Sequence, residues 1–461
     1  MKVKRYLLLL TALFFFSSCR HVPNIAPAGP TVTPTTSANA IDVPTAELKS
    51  GINPTLVSVI PTPAWTIGDR GAKWAQVSFD DIAPDGMDMQ QCWNGMGMDD
   101  QGRIYIGFTS VRMDGREDFP VFRYDPKIGE RAFLGTYLDI VAEAGNSQAG
   151  EGIPKGHTRM VFADGKMYMG SQSFHDLKWE IDALPTYRGS HLFAFDTAAG
   201  TWSDLSTALP GGVVTEHEGI LSLNSLPQEH LLVGLAHPSS DIVLYDYQAN
   251  KLVKIVPGIP WKLGNPLSRE IIVAPSGNIY IYRGTEAVNQ RHETHTVWVY
   301  NIHTGKMKDT GFQMTNGFWI GQTQKRNGSK IYINTTGGEL YEFDVASETF
   351  KDLGYELPNT DKRIIDYTYT ITLSPDEKRI YYILSILQNP GGPEGDGSGG
   401  TGELYYYDIA TGEVVFVQQL PIGIYTSQDL RDNENIYFSH FGTYSNVWSG
   451  KASLFILHVT P

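Results

Sequence analysis

The chain has little cysteine: Cys19 and Cys92 are the only two in 461 residues. One lies near the start and the other far into the body, so no disulfide framework is expected. Positive charge is also scarce. Lys and Arg number 36 against 50 Asp and Glu, for a net charge of −14, which argues against a general nucleic-acid binder. The apolar run LLLLTALFFF is too short for a comfortable transmembrane span. HExxH, paired CxxC, P-loop and Gly-x-Ser-x-Gly motifs are absent. Zinc-protease, nucleotide-binding and serine-hydrolase readings therefore have no footing. What remains is an ordinary soluble composition, 41% apolar and 19% charged. Gly (47) and Tyr (24) are raised, as a turn-rich all-β protein requires.

Lys2, Lys4 and Arg5 precede the apolar run, and Phe16-Ser17-Ser18-Cys19 follows it. This resembles a bacterial lipoprotein signal, with cleavage before Cys19 and acylation of its thiol. Residues 1–19 are thus expected to be a signal peptide. Residues 20–50, rich in Pro, Thr, Ala and Ser, read as a flexible tether. That leaves 51–461 as one folded domain, on a lipid-anchored or secreted protein of the cell envelope.

From about residue 90 a pattern repeats seven times. Its second strands are RIYIGF, KMYMGS, LLVGL, NIYIYR, KIYINT, RIYYIL and NIYFSH. The strands that follow are VFRYD, HLFAFD, VLYDY, VWVYN, LYEFD, LYYYD and SLFILH. Between third and fourth strands stand tight turns such as DTAAGT and DIATGE, where Gly supplies positive φ. Four strands per repeat at this period predict a β-propeller. The seventh repeat is one strand short, and TLVSVI (55–60) is an orphan apolar strand. The expected fold is an all-β, seven-bladed β-propeller closed by that N-terminal strand, which would remove exposed edges. NPGGPEGDGSGGTG (389–402) reads as an insertion in the sixth blade.

In such a ring the start of each first strand and the end of each second strand share one face. The repeat places Asn94, His157, Arg269, Trp319, Tyr369 and Tyr425 at first-strand starts. Arg112, His175, His237 and Arg283 fall at second-strand ends. The hairpin TRMVF-ADG-KMYMGS should set His157 against His175, since Asp164-Gly165 is a strong hairpin signal. A basic and aromatic mouth on an acidic protein points to a bound anion, with Arg forks matching carboxylate or sulfate. Trp and Tyr faces suit sugar rings. Each residue has a plainer reading too: His237 as a turn residue, Trp319 as core, Arg269 paired with Glu270 or Glu286. The Met-rich stretch 87–98 reads as packing. Asp176, Glu216 and Glu218 leave a hydrolase pair open.

The segment EGIPKGHTRMVFADGKMYMGSQSFHD, followed by YRGSHLFAFDTAAGTWSDLS, resembles the seven-bladed propeller polysaccharide lyases of the ulvan lyase type, families 24 and 25. That resemblance implies paired His on neighbouring strands of one blade and an Arg from a later blade, positions matched by His157, His175 and Arg269. It implies a Tyr or His as base and acid. Tyr187, Tyr369 and Tyr425 are candidates on position, Tyr425 for chemistry and the other two for substrate contact. The implied reaction is β-elimination on a uronate polymer, ulvan-like and sulfated. Asn94, Arg112, His237, Arg283 and Trp319 would hold neighbouring sugars. No redox cofactor is needed. A structural metal stays open, without a ligand cluster at convincing spacing. The partner is an anionic polysaccharide, with membrane contact only through the lipid and a monomer expected. Two rivals stand beside this: a propeller glycosidase on rhamnose–uronate linkages, and a non-catalytic binder of glycans or protein.

Overall fold

The computed structural model describes residues 56–59, 64–68, 72–172, 187–237, 239–258, 268–284, 295–315, 319–324, 328–335, 337–356, 365–368, 370–387, 401–421, 423–441 and 452–459. All of them fall in the compact unit Ile41–Pro461. Cys19, the tether, His175, Tyr369 and most of the 389–402 insertion lie outside these residues, as does the side chain of Arg283.

Among the described residues the larger antiparallel sheets number seven, each of four or five strands. The repeat is recovered in order. In the third sheet, Gly219–Leu226, Leu231–His237, Ile242–Asp246 and Lys251–Val256 pair as neighbours. The second, fourth and fifth sheets follow the same plan.

The I-Y-I motif explains how the sheets stack. Successive strand residues point to opposite faces. In the first sheet Ile104 and Ile106 pack towards the seventh sheet, in a cluster with Tyr437 and Leu454. Tyr105, between them, packs towards the second sheet with Met167 and Phe193. The fourth sheet repeats this, Ile279 and Ile281 meeting the third sheet and Tyr280 and Tyr282 the fifth. Each pair of consecutive sheets, including seventh and first, thus shares one apolar cluster. Burying each such Ile or Leu contributes about 1.5–3 kcal/mol. Most neighbouring first strands also touch, and Ile424–Arg431 of the last sheet returns to Met96–Met98 of the first. This is a β-propeller arrangement.

The turns behave as their composition requires. Asp164 and Gly165 both take positive φ, at 48° and 75°, the geometry of a tight hairpin turn. At third-strand ends, Asp196 accepts from the amides of Ala198 and Ala199, and Asp408 from those of Ala410 and Thr411.

Three features differ from the sequence expectation. Leu56–Val59 pairs with Glu130–Thr136 as an extra outer strand of the first sheet, not with the last strand. The partner of Ser453–His458 is instead Lys73–Ser78. That segment alternates exposed and buried positions, as an outer strand with one packed face must. An α-helix, Tyr137–Glu143, follows the first sheet. Thr136 caps it by accepting from the Asp139 amide, and it buries Tyr137, Leu138, Ile140 and Val141. The hairpin's first strand is also short. It covers only Val161–Ala163, so His157 lies outside any strand, ahead of it.

Candidate functional site: a cationic mouth above a polar axis

Below the mouth, the first strands are tied across the axis by polar side chains. Arg159 of the second sheet donates to Gln324 after the fifth sheet's first strand. Gln428 of the seventh donates to Glu270 beside the fourth at 3.2 Å. The Gln324 amide donates to Asp429 at 2.5 Å, and Thr370 to the Ser427 carbonyl at 2.8 Å. Asp429 also pairs with Arg431, which is 1% exposed and bonds Glu377 at 2.8 Å. Burial opposes charge on the Glu270 carboxyl, and despite Gln428, Arg159 and Arg269 its pKa is pushed up to about 7.

At the mouth, three sheets converge on one indole. The Trp93 ring, from the turn before the first sheet's inner strand, lies parallel to His157, with centroids 6.3 Å apart and 4° between planes. The Arg269 guanidinium, from the fourth sheet, stands 5.8 Å from the same ring. Phe441 of the seventh sheet meets its edge at 4.9 Å. The Trp93 indole N–H donates to Gln91. His157 is buried, and its Nδ1 has no hydrogen-bond partner among the described residues. Its pKa is held well below the ordinary 6.5, by burial first and then by Arg269, Lys155 and His237 nearby. The ring is therefore neutral at pH 7, with cations around it. A neutral imidazole beside a guanidinium can take a proton while an anion is held.

The other expected residues divide. Asn94 is buried beside this group, at a positive φ of 69°, and its amide donates to Thr426 at 3.3 Å. His237 ends its strand opposite Gly219, half-buried and within electrostatic reach of His157. Tyr187 is buried, and its carbonyl accepts from the His217 ring at 3.0 Å. Tyr425 is not at the mouth. It packs among Leu404, Phe438 and Phe455, and its hydroxyl donates to the Pro421 carbonyl at 2.7 Å. Burial raises its pKa well above the ordinary phenol value, so it is no base there. Trp319 is likewise core, fully buried with Ile272, Val297 and Ile333. Arg112 is held between Asp139 at 2.8 Å and Asp118 at 3.4 Å, so its charge is already met by carboxylates.

Trp93 and Lys155 carry no sequence signal that separates them from packing and loop residues; Trp93 reaches His157 through the packing of the first sheet on the second. A buried quartet in the second sheet is equally silent in sequence. His191 faces Asp204 at 3.2 Å and Glu151 at 3.4 Å, and Arg188 grips Glu151 at 3.0 Å. Burial disfavours the His191 cation, but the two carboxylates outweigh it and raise its pKa. Among the described residues, no group of three or more His, Cys, Asp or Glu is placed to hold a metal ion.

Fold and site together define a β-propeller with a cluster of cationic and aromatic side chains around the buried His157. No family model matches the chain. No curated protein matches it either. Among solved structures, U3-55K is similar at 8% identity and a TM-score of 0.46, covering 81% of this chain and 98% of that one. The RRP9 WD40 repeats match at 8% identity and 0.46, over 82% and 98%. The β-propeller domain of Cps50 (Swd1) from Myceliophteria thermophila matches at 11% and 0.48, over 84% and 100%. At these TM-scores they are neighbours in fold only, and the propeller is read from this chain's own sheets.

Proposed function

We propose that this protein is a seven-bladed propeller, closed by Lys73–Ser78 against the C-terminal strand, that acts as a polysaccharide lyase on a uronate-containing, sulfated polymer of the ulvan kind. It would work at the cell envelope, held by a lipid on Cys19. The observation that carries the reading is the buried His157 imidazole and the Arg269 guanidinium on one indole, with Lys155 and His237 beside them.

The chemistry follows from that pairing. The C5 proton of a uronate is weakly acidic while its carboxylate is charged. Arg269 would neutralise the carboxylate and hold the negative charge that develops as the proton leaves. His157 would take the C5 proton. The C5–H electrons form the C4–C5 double bond, the C4–oxygen bond breaks, and the leaving oxygen gains a proton. With Tyr425 buried in the core, the acid falls to an imidazole or to solvent. His237 and Lys155 would hold sulfate or carboxylate groups of neighbouring sugars.

Incubation with ulvan and a panel of other uronate polymers should raise the ultraviolet absorbance of an unsaturated uronate. His157→Ala and Arg269→Ala should each lower kcat/KM by about 100-fold or more without unfolding the chain. Chain shortening without the double bond would favour a glycosidase, and binding with unchanged polymer length would favour a receptor. Either result ends the lyase reading.

A further inference from the structure

We propose that Trp93 is the positioning residue of the mouth: its indole sets where the His157 imidazole and the Arg269 guanidinium stand relative to one another. The chemistry rests on the lyase reading, whereas the placement does not.

Four observations meet here. The His157 ring lies parallel to the indole, within 4°. Arg269, from a sheet on the far side of the ring, extends its guanidinium to 5.8 Å from the same π-system. A guanidinium over an aromatic face is attracted by the ring quadrupole, so the side chain is drawn to one place. Phe441 supports the indole edge, and Gln91 takes its N–H. The indole is thus fixed from two sides and engaged by both reactive groups. Its N–H is committed within the protein, so it supplies a surface rather than a hydrogen bond to a ligand.

Removing the indole would do two things at once. Arg269 would lose its guide, and water would reach the imidazole. The groups facing His157 are Arg269, Lys155 and His237. All three remain in a Trp93 variant, so the change expected comes from solvation and from Arg269's freedom to move.

The test uses full-length protein with Trp93→Leu and Trp93→Phe. Folding is checked by circular dichroism and thermal unfolding. The His157 ring is titrated by nitrogen NMR, and kcat and KM are measured on a cleaved uronate polymer. In Trp93→Leu the His157 titration should move up towards 6.5, and the acid limb of the pH–rate profile should move with it. kcat should fall at least about tenfold, with a smaller change in KM, as misplacement of reacting groups predicts. Trp93→Phe keeps a flat ring and should recover much of both. An unchanged His157 titration in Trp93→Leu overturns the proposal. If Trp93→Leu does not fold, Trp93→Met takes its place and is read in the same way: an unchanged His157 titration overturns the proposal. If wild type cleaves no uronate polymer, the lyase reading falls, and the His157 titration alone judges Trp93.

Discussion

Glu270 offers a prediction with a sign that is easily wrong. Its carboxyl is 4% exposed, one residue along from Arg269, with Gln428 donating at 3.2 Å. In the folded chain its pKa is pushed from the ordinary 4.5 to about 7, burial being the largest cause. A carboxyl with a raised folded pKa binds its proton more tightly when folded. Below about pH 4.5 both states are protonated and the group has no effect on stability. From there to about pH 7 the unfolded chain releases its proton first, so stability falls as pH rises. The full difference corresponds to about 3 kcal/mol, at 1.36 kcal/mol per pKa unit. Glu270→Gln keeps the shape and an oxygen for Gln428 but cannot ionise. Urea unfolding of both proteins should give equal stability at about pH 3.5, below both pKa values. At pH 8 the variant should be more stable by about 3 kcal/mol, the penalty it no longer carries. Parallel curves across that range, or a less stable variant at pH 8, would refute the reasoning.

Two further substitutions separate structure from chemistry. Arg431→Met strands the buried Asp429 and should cost about 3–5 kcal/mol in urea unfolding, and adding Asp429→Asn should recover part of it; a double variant no better than the single would contradict the pairing. Tyr425→Phe removes only the bond to Pro421, so stability should drop by about 1 kcal/mol with turnover near wild type, whereas a hundredfold loss of turnover would return this phenol to the chemistry.

The repeat was legible because it is local. Period-2 alternation in I-Y-I and the Asp and Gly turns lie within a few residues of each other, and the sheets reproduce them. The early strand that pairs with Ser453–His458 was not legible. TLVSVI is the more apolar candidate, but which edge a strand joins depends on chain geometry that no window of sequence contains. His157 and Arg269 were read as first-strand starts, and both lie a few residues ahead of their strands, Val161–Ala163 and Ile272–Val273. Tyr425 and Trp319 were misplaced because one residue of register turns a side chain from the axis into the gap between sheets. Arg112 was misplaced for another reason. After Ile104–Gly107 the chain leaves the first sheet, and Thr109–Val111 joins a separate three-stranded sheet with Asp88–Gln91 and Glu117–Asp118. That detour carries Arg112 to Asp118 and Asp139.

The pairing of Lys73–Ser78 with Ser453–His458 joins segments from nearly opposite ends of the chain. Until Ser453–His458 emerges from synthesis, Lys73–Ser78 is paired only with Thr66–Ile67, along one edge, and the late hairpin has no cover. Assembly of this one sheet is therefore the most entropically demanding event of folding. Deleting Ser453–His458 should leave a chain with every other sheet intact and a sticky, unlatched seam.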